Sequence, residues 1–331
     1  MNKSQFNTPR CPGSLKEGFV SYNPATLRGL FNGHKVFHVL PESPEGIKWA
    51  DAQTQSSHFG NQQWYRMQLE KNHLKPKANG GWLLKTVSSG SGNVQHPFEQ
   101  AANEHLCMQL AAQVFELESV PNALIFFPNG QPALICKYLG THLPQKNYLP
   151  GYIHFGILLE NSFKELANRV SKDYSYQSLA LLIDKYVAAS LIVKERFFSQ
   201  VIFTWLISNA SAHMQNFGLV KTPRGDYDLA PLQHQMCTVI HEAGPEIAPP
   251  GGLYKGDRES PEFREYGHYT RNEFTSFGRR IGLFPARIEK ILDGFVAGMI
   301  PASELIDKAF LPEDVKNLFR YNFMERLFRL K

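Results

Sequence analysis

The chain has 331 residues, 43% of them hydrophobic and 20% charged, with a formal net charge of +5 at pH 7. That balance fits a globular protein with room for two lobes or domains, and without a block of about five basic residues it argues against a dedicated nucleic-acid surface. No apolar run reaches about 18 residues, and the opening MNKSQFNTPR lacks the apolar stretch of a secretory signal, so no membrane span is expected and the cytoplasm is the expected location.

In chain order, the first half carries short strand-like runs. Tyr65 to Glu70 alternates in character, and Gly81 to Val87 is a compact apolar run with a lysine, Lys85, inside it. Lys75 to Gly81 and the Gly/Ser-rich Ser88 to Pro97 read as loops. Phe98 to Phe115 reads as one helix, with Ala102, Leu106, Leu110 and Val114 recurring every fourth residue. Asn122 to Phe127 and Pro132 to Tyr138 flank Pro128-Asn129-Gly130, a hairpin signal.

The second half is mostly helical. Ser178 to Lys194 and Glu195 to Asn209 have helical spacing. A strand pair is expected at Phe217 to Lys221 and Tyr227 to Ala230, turned at Pro223-Arg224-Gly225-Asp226. Gly244 to Gly256 is a Pro/Gly loop, and the last seventy residues read as three or four helices ending with Pro312 to Leu330. Pro312 is expected at the first helical position, where its missing N–H costs nothing. Cys11, Cys107, Cys136 and Cys237 form no C-x-x-C pair, so free thiols are expected. His234, Cys237, His241 and Glu242 invite a metal-site reading, although H-x-x-C-x-x-x-H is not a familiar zinc knuckle.

Several motifs, in order, carry a resemblance. They begin with Cys11-Pro12, Gly18, Tyr22-Asn23-Pro24 and Leu27 to Leu30. Ser57-His58-Phe59-Gly60-Asn61-Gln62 is similar to a Gly-rich S-x-x-G-x-Q segment, and Leu83-Leu84-Lys85 to an apolar-apolar-Lys strand. Asn103-Glu104 resembles an N-E helix. Asn209 to Leu219 (NASAHMQNFGL) resembles N-x-D-x-H-x-K-N-F-x-L, and Leu229-Ala230-Pro231-Leu232 the S-P-x-Y-D segment that follows. Together they resemble HipA-family serine/threonine kinases, and most closely the compact HipT-like branch.

The resemblance implies an α+β, protein-kinase-like (HipA-type) bilobal fold. Residues 1–137 would form a β-rich N-terminal lobe with the Gly-rich loop, the Lys85 strand and the Glu104 helix, and residues 138–331 a helical C-terminal lobe. It also implies ATP as cofactor, held by Ser57, Gly60, Gln62, Lys85 and Glu104, with Lys85 paired to Glu104. Ser57 matches the serine at which family members can be autophosphorylated. Gln63-Trp64 stands where the pattern often continues with lysine, so a cationic contact is missing.

The departures lie where the chemistry would be. Ser211 occupies the catalytic aspartate position, and a serine hydroxyl is a poor base. Gln215 occupies the lysine position, whereas His213 and Asn216 are retained. His234 occupies the aspartate position that would hold Mg²⁺ together with Asn216, and a hard ion prefers carboxylate oxygen to imidazole. Lys137-Tyr138-Leu139-Gly140 lacks the Asp and second Arg of a common R-F/Y-D-R.

Three functions follow as expectations. The first is a HipA/HipT-like pseudokinase acting as a binding or regulatory module, with weakened Mg²⁺ and an antitoxin-like or regulatory protein partner, nucleic acid being reached only through that partner. The second is an active kinase toxin with a rearranged site using Asp226 or Asp228. The third is nucleotidyl transfer on the same fold.

Overall fold

Alternation along the front strands decides which side chains meet which helix. The computed structural model describes residues 9–42, 55–56, 62–87, 94–139, 151–162 and 173–331. Helix α1 (Pro24–Phe31) comes first, with the Asn23 side chain accepting from the Thr26 N–H and a proline in its first turn. The front sheet then has six strands: β1 (Gln55–Ser56), β2 (Gln62–Glu70), β3 (His73–Pro76), β4 (Trp82–Val87), β5 (Asn122–Phe126) and β6 (Pro132–Lys137). Their order is β1-β2-β4-β6-β5, with β3 on β2, and every pairing is antiparallel.

Leu84, Ala133 and Ile135 pack with Leu30 and Phe31 of α1. The neighbouring positions Leu83, Leu134 and Cys136 pack on the other side with residues of α2 (Gln100–Gln113). The periodicity predicts one apolar stripe on α2, but every residue from Gln100 to Ala111 is buried. The helix lies between the sheet and the helical half, so its polar residues Asn103, Glu104 and His105 must find partners inside.

The rear half starts with β7 (Ile153–His154) and α3 (Phe155–Ser162), followed by α4 (Tyr176–Tyr186) and α5 (Ser190–Leu206). β7 joins β8 (Gly218–Lys221) and β9 (Tyr227–Leu229) in a small sheet, with Gly225 supplying the left-handed residue of the β8–β9 turn. The chain ends in α6 (Pro261–Tyr266), α7 (Arg271–Arg280), α8 (Pro285–Ala297), α9 (Met299–Asp307) and α10 (Glu313–Phe328). α10 is tied to α5: the Arg326 guanidinium bonds the Trp205 carbonyl, and Trp205 Nε1 donates to Glu246, which also pairs with Arg329.

Four local expectations need correction. Lys75 and Pro76 belong to strand β3, which among the described residues pairs only with β2, an edge where a proline is tolerated. The break between the two central helices lies at Val187–Ala189, not between Lys194 and Glu195; Val187 is extended (φ −117°, ψ 123°), and Lys194 sits inside α5 bonded to Asp184. Pro312 is the residue before α10 rather than its first helical residue. The short α6 raises the number of terminal helices to five. All four cysteines are free and buried. Among the described residues, no helix is long and apolar enough to cross a membrane.

Candidate functional site

A lysine in an apolar strand needs an anion or a way out to water. Lys85 finds the anion: its ammonium is ion-paired to Glu104 of α2, with side-chain exposures of 2% and 4%. The β2–β4 register places Trp64 opposite Lys85, so indole and ammonium share one face of the sheet. Lys85 Nζ lies 5.0 Å from the Trp64 ring centroid. Gln62, two residues earlier on β2, accepts from Trp64 Nε1 at 3.4 Å. Beside them, Leu83, Met108, Val120 and Cys136 form a small apolar cluster edged by Trp64, Tyr138 and Leu139.

His234 completes the arrangement from the helical half. Its backbone is left-handed (φ 57°), a conformation histidine tolerates better than most residues. Its ring stacks on Trp64 at 4.8 Å with an interplanar angle of 5°. Its Nδ1 lies 2.6 Å from Lys85 Nζ and 3.9 Å from Glu104 Oε1. An ammonium can only donate, so Nδ1 accepts and the imidazole carries its proton on Nε2. Burial, and then the Lys85 charge, hold the His234 pKa well below its ordinary 6.5. Lys85 is thus met by a carboxylate, a neutral imidazole and an aromatic face.

The loop resembling a kinase catalytic loop follows α5 and is held by its backbone. Ala210 N donates to Thr238 Oγ1 at 2.8 Å, and Tyr176 OH donates to the Ala212 carbonyl at 3.0 Å. Tyr174 OH accepts from Met214 N at 3.1 Å and lies 3.4 Å from His213 Nδ1. Tyr152 OH donates to the Gln215 carbonyl at 3.2 Å. Asn209 Nδ2 reaches the His234 carbonyl at 3.4 Å and Gln235 Oε1 at 3.3 Å, joining this loop to the His234 segment. Ser211 and Asn216 are half-buried, whereas His213 and Gln215 are exposed.

Asn103 is a clamp. Its amide donates to the Cys237 carbonyl at 2.9 Å and accepts from Cys237 N at 3.1 Å. Its Nδ2 also lies 2.8 Å from His241 Nε2. His241 Nδ1 donates to the Gln95 carbonyl at 3.0 Å, so Nε2 accepts from the amide and the ring is neutral. Burial pushes the His241 pKa down to about 4.

The structure therefore brings Lys85, Glu104 and His234 into contact, sets Gln62 behind Trp64, and links Asn209 to His234. Ser57, Gly60 and Gly140 lie outside the described residues. Tyr138 lies under the Arg66 guanidinium, 3.5 Å from ring centroid to Arg66 Cζ. Asp228 is bound to Arg196 at 2.7 Å, and Asp226 to Thr222 in the β8–β9 turn. The metal-site reading of His234, Cys237, His241 and Glu242 is not met: among the described residues no three His, Cys, Asp or Glu side chains converge. A Mg²⁺ ion fits this donor set poorly, because the imidazole at the expected carboxylate position is already turned to Lys85.

Trp64 and Asn103 are the residues whose roles sequence reasoning missed. Two-residue alternation in β2 carried a hint for Trp64, usable only with the β2–β4 register in hand. Nothing in the sequence around Asn103 announces a partner 134 residues away.

A family model described as the HipA-like C-terminal domain matches residues 56–302. A Haemophilus influenzae protein provisionally named as a kinase is 21% identical over 322 residues, covering 91% of this chain and 90% of that protein. Among solved structures, HipA from Shewanella oneidensis MR-1, in a toxin–antitoxin complex with HipB and operator DNA, superposes with a TM-score of 0.57 at 15% identity. That match covers 85% of this chain and 65% of that one, so this chain spans less than two thirds of the Shewanella protein's length. The Helicobacter pylori proinflammatory kinase CtkA gives a TM-score of 0.49 at 16% identity, over 84% of this chain and 92% of that one.

Proposed function

Because the chain belongs to the family of the HipA-like C-terminal domain, we propose that it is a compact, HipT-like pseudokinase: a cytoplasmic binding or regulatory module that has given up ordinary phosphotransfer. The observation that carries this reading is the contact of Lys85 with His234. The position where the resemblance expects a Mg²⁺-binding aspartate holds a neutral imidazole bonded to the lysine that would meet the nucleotide phosphates. Ser211 supports it from the loop side, since no carboxylate stands there to take a hydroxyl proton. The loop's backbone tethers support a retained shape, which a binding role needs.

The Shewanella complex of HipA with HipB and DNA favours an antitoxin-like protein as partner, with DNA reached through that partner. A rearranged active kinase would need Asp226 or Asp228 at the site. Asp228 is engaged by Arg196, and Asp226 by its own turn, which argues against both.

The reading is tested by thermal unfolding with millimolar ATP, with and without Mg²⁺, because a ligand that binds only the folded chain raises its midpoint by mass action. The expected result is no Mg²⁺-dependent increase. A rise that requires Mg²⁺ and disappears on Lys85→Ala would overturn it.

A further inference from the structure

Trp64 and His234 come from opposite halves of the fold. Trp64 lies on β2 of the front sheet, and His234 lies beyond β9, held by Asn209 of the loop after α5. Their rings are parallel within 5° at 4.8 Å. An offset stack of this kind contributes beyond the area it covers. Both rings lie against one group, Lys85 Nζ, at 5.0 Å from the indole centroid and 2.6 Å from the imidazole nitrogen. Gln62 accepts the indole N–H and limits its rotation. Behind, Glu104 closes the remaining side, and its helix is fixed to the His234 side of the fold by the Asn103–Cys237 bonds.

We propose that the Trp64–His234 stack is an autoinhibitory latch that closes over Lys85 and joins the two lobes, so that any anionic ligand of Lys85 must first displace the indole and the imidazole. Glu104 alone would neutralise Lys85 and leave it approachable from the front. The stack occupies that approach. This proposal rests on the pseudokinase reading and deepens it at the same site, and its test uses neither nucleotide nor phosphate, so its outcome is read apart from the nucleotide test of that reading.

The test is brief acylation of the full-length chain with N-hydroxysuccinimidyl acetate, with the rate at each lysine followed by peptide mass spectrometry. Lys71, exposed in the turn after β2, is the accessible reference; Lys194 and Lys316, buried in the helical half, report general loosening. Lys85 is expected to react far more slowly than Lys71 in the unsubstituted protein. Trp64→Ala and His234→Ala are each expected to raise the Lys85 rate by roughly tenfold, equivalent to about 1.4 kcal/mol, with Lys194 and Lys316 unchanged. Trp64→Phe, which keeps a ring for the stack, is expected to stay within about threefold of the starting rate, under 1 kcal/mol on the same scale. If Trp64→Ala does not fold, His234→Ala decides alone. Equal rates at Lys85 and Lys71 in the unsubstituted protein would overturn the latch. So would no change in the folded alanine variants, or acceleration at Lys85 matched by Lys194 and Lys316.

Discussion

At the scale of single residues, the buried pair of Lys85 and Glu104 has a large energetic consequence. Removing one member of such a pair leaves a charge without a partner in a low-dielectric interior, which costs about 3–5 kcal/mol. Glu104→Ala is therefore expected to lower the unfolding free energy in urea by about that amount. The double change Lys85→Met with Glu104→Leu, which removes both charges, should recover most of the loss, and a double variant no more stable than Glu104→Ala would contradict the pairing. The pair was legible in the sequence through the family resemblance, which implies it from the apolar-apolar-Lys strand and the N-E helix; by themselves a lysine in a strand and a glutamate on a helix read more readily as surface residues. Trp64 was legible only as an absence, a missing cation. The need it meets is set by Lys85 across the strand pair and by His234, which is 149 residues from Lys85. Neither relation is local.

At the scale of elements, the runs with their own stop signals came through best. The β5–β6 hairpin is announced by Pro128-Asn129-Gly130, and the β8–β9 turn by Pro223 to Asp226. The gap between α4 and α5 has no glycine or proline in Val187-Ala188-Ala189, so helical spacing reads straight through it. Helix α1 was also missed as a helix, although Asn23 before Pro24 is a start signal. That cap carries its own prediction. The Asn23 side chain accepts from Thr26 N at 2.8 Å and donates to Ser14 Oγ at 2.7 Å. Asn23→Ala is expected to destabilise the chain by about 1 kcal/mol, and Asn23→Ser by much less, measured by the same urea titration. Equal losses would show that the cap is not what Asn23 supplies.

At the scale of the whole molecule, one hydrophobic cluster runs from Leu15 and the α2 residues through α5 to Leu330, so the two halves share a core as well as a site. Within that shared interior, several histidines are kept neutral. Burial lowers His105, which donates to the Gly13 carbonyl, to about 4, and His241 to about 4 as well. His234 is lowered too. Their unfolded counterparts protonate near 6.5, so below that pH the unfolded chain binds more protons and stability falls. The stability these histidines contribute is fully present above about pH 6.5 and is lost as the pH drops toward 4. The denaturation midpoint is expected to fall steeply across that window, and His105→Gln should flatten the slope. A midpoint flat from pH 7 to 4 would contradict the neutral assignments.

The family and its fold follow from motif order and from the matched core, whereas the proposed loss of phosphotransfer rests on Ser211, on His234 and on what His234 touches. The most direct measurement is intact-protein and peptide mass spectrometry after incubation with Mg²⁺ and ATP, alone and with a generic protein substrate. No added phosphate is expected on Ser57 or on any other serine or threonine of the chain, none on the substrate, and no added nucleotide. Phosphate or nucleotide that appears with Mg²⁺–ATP and is lost on Lys85→Ala would contradict it.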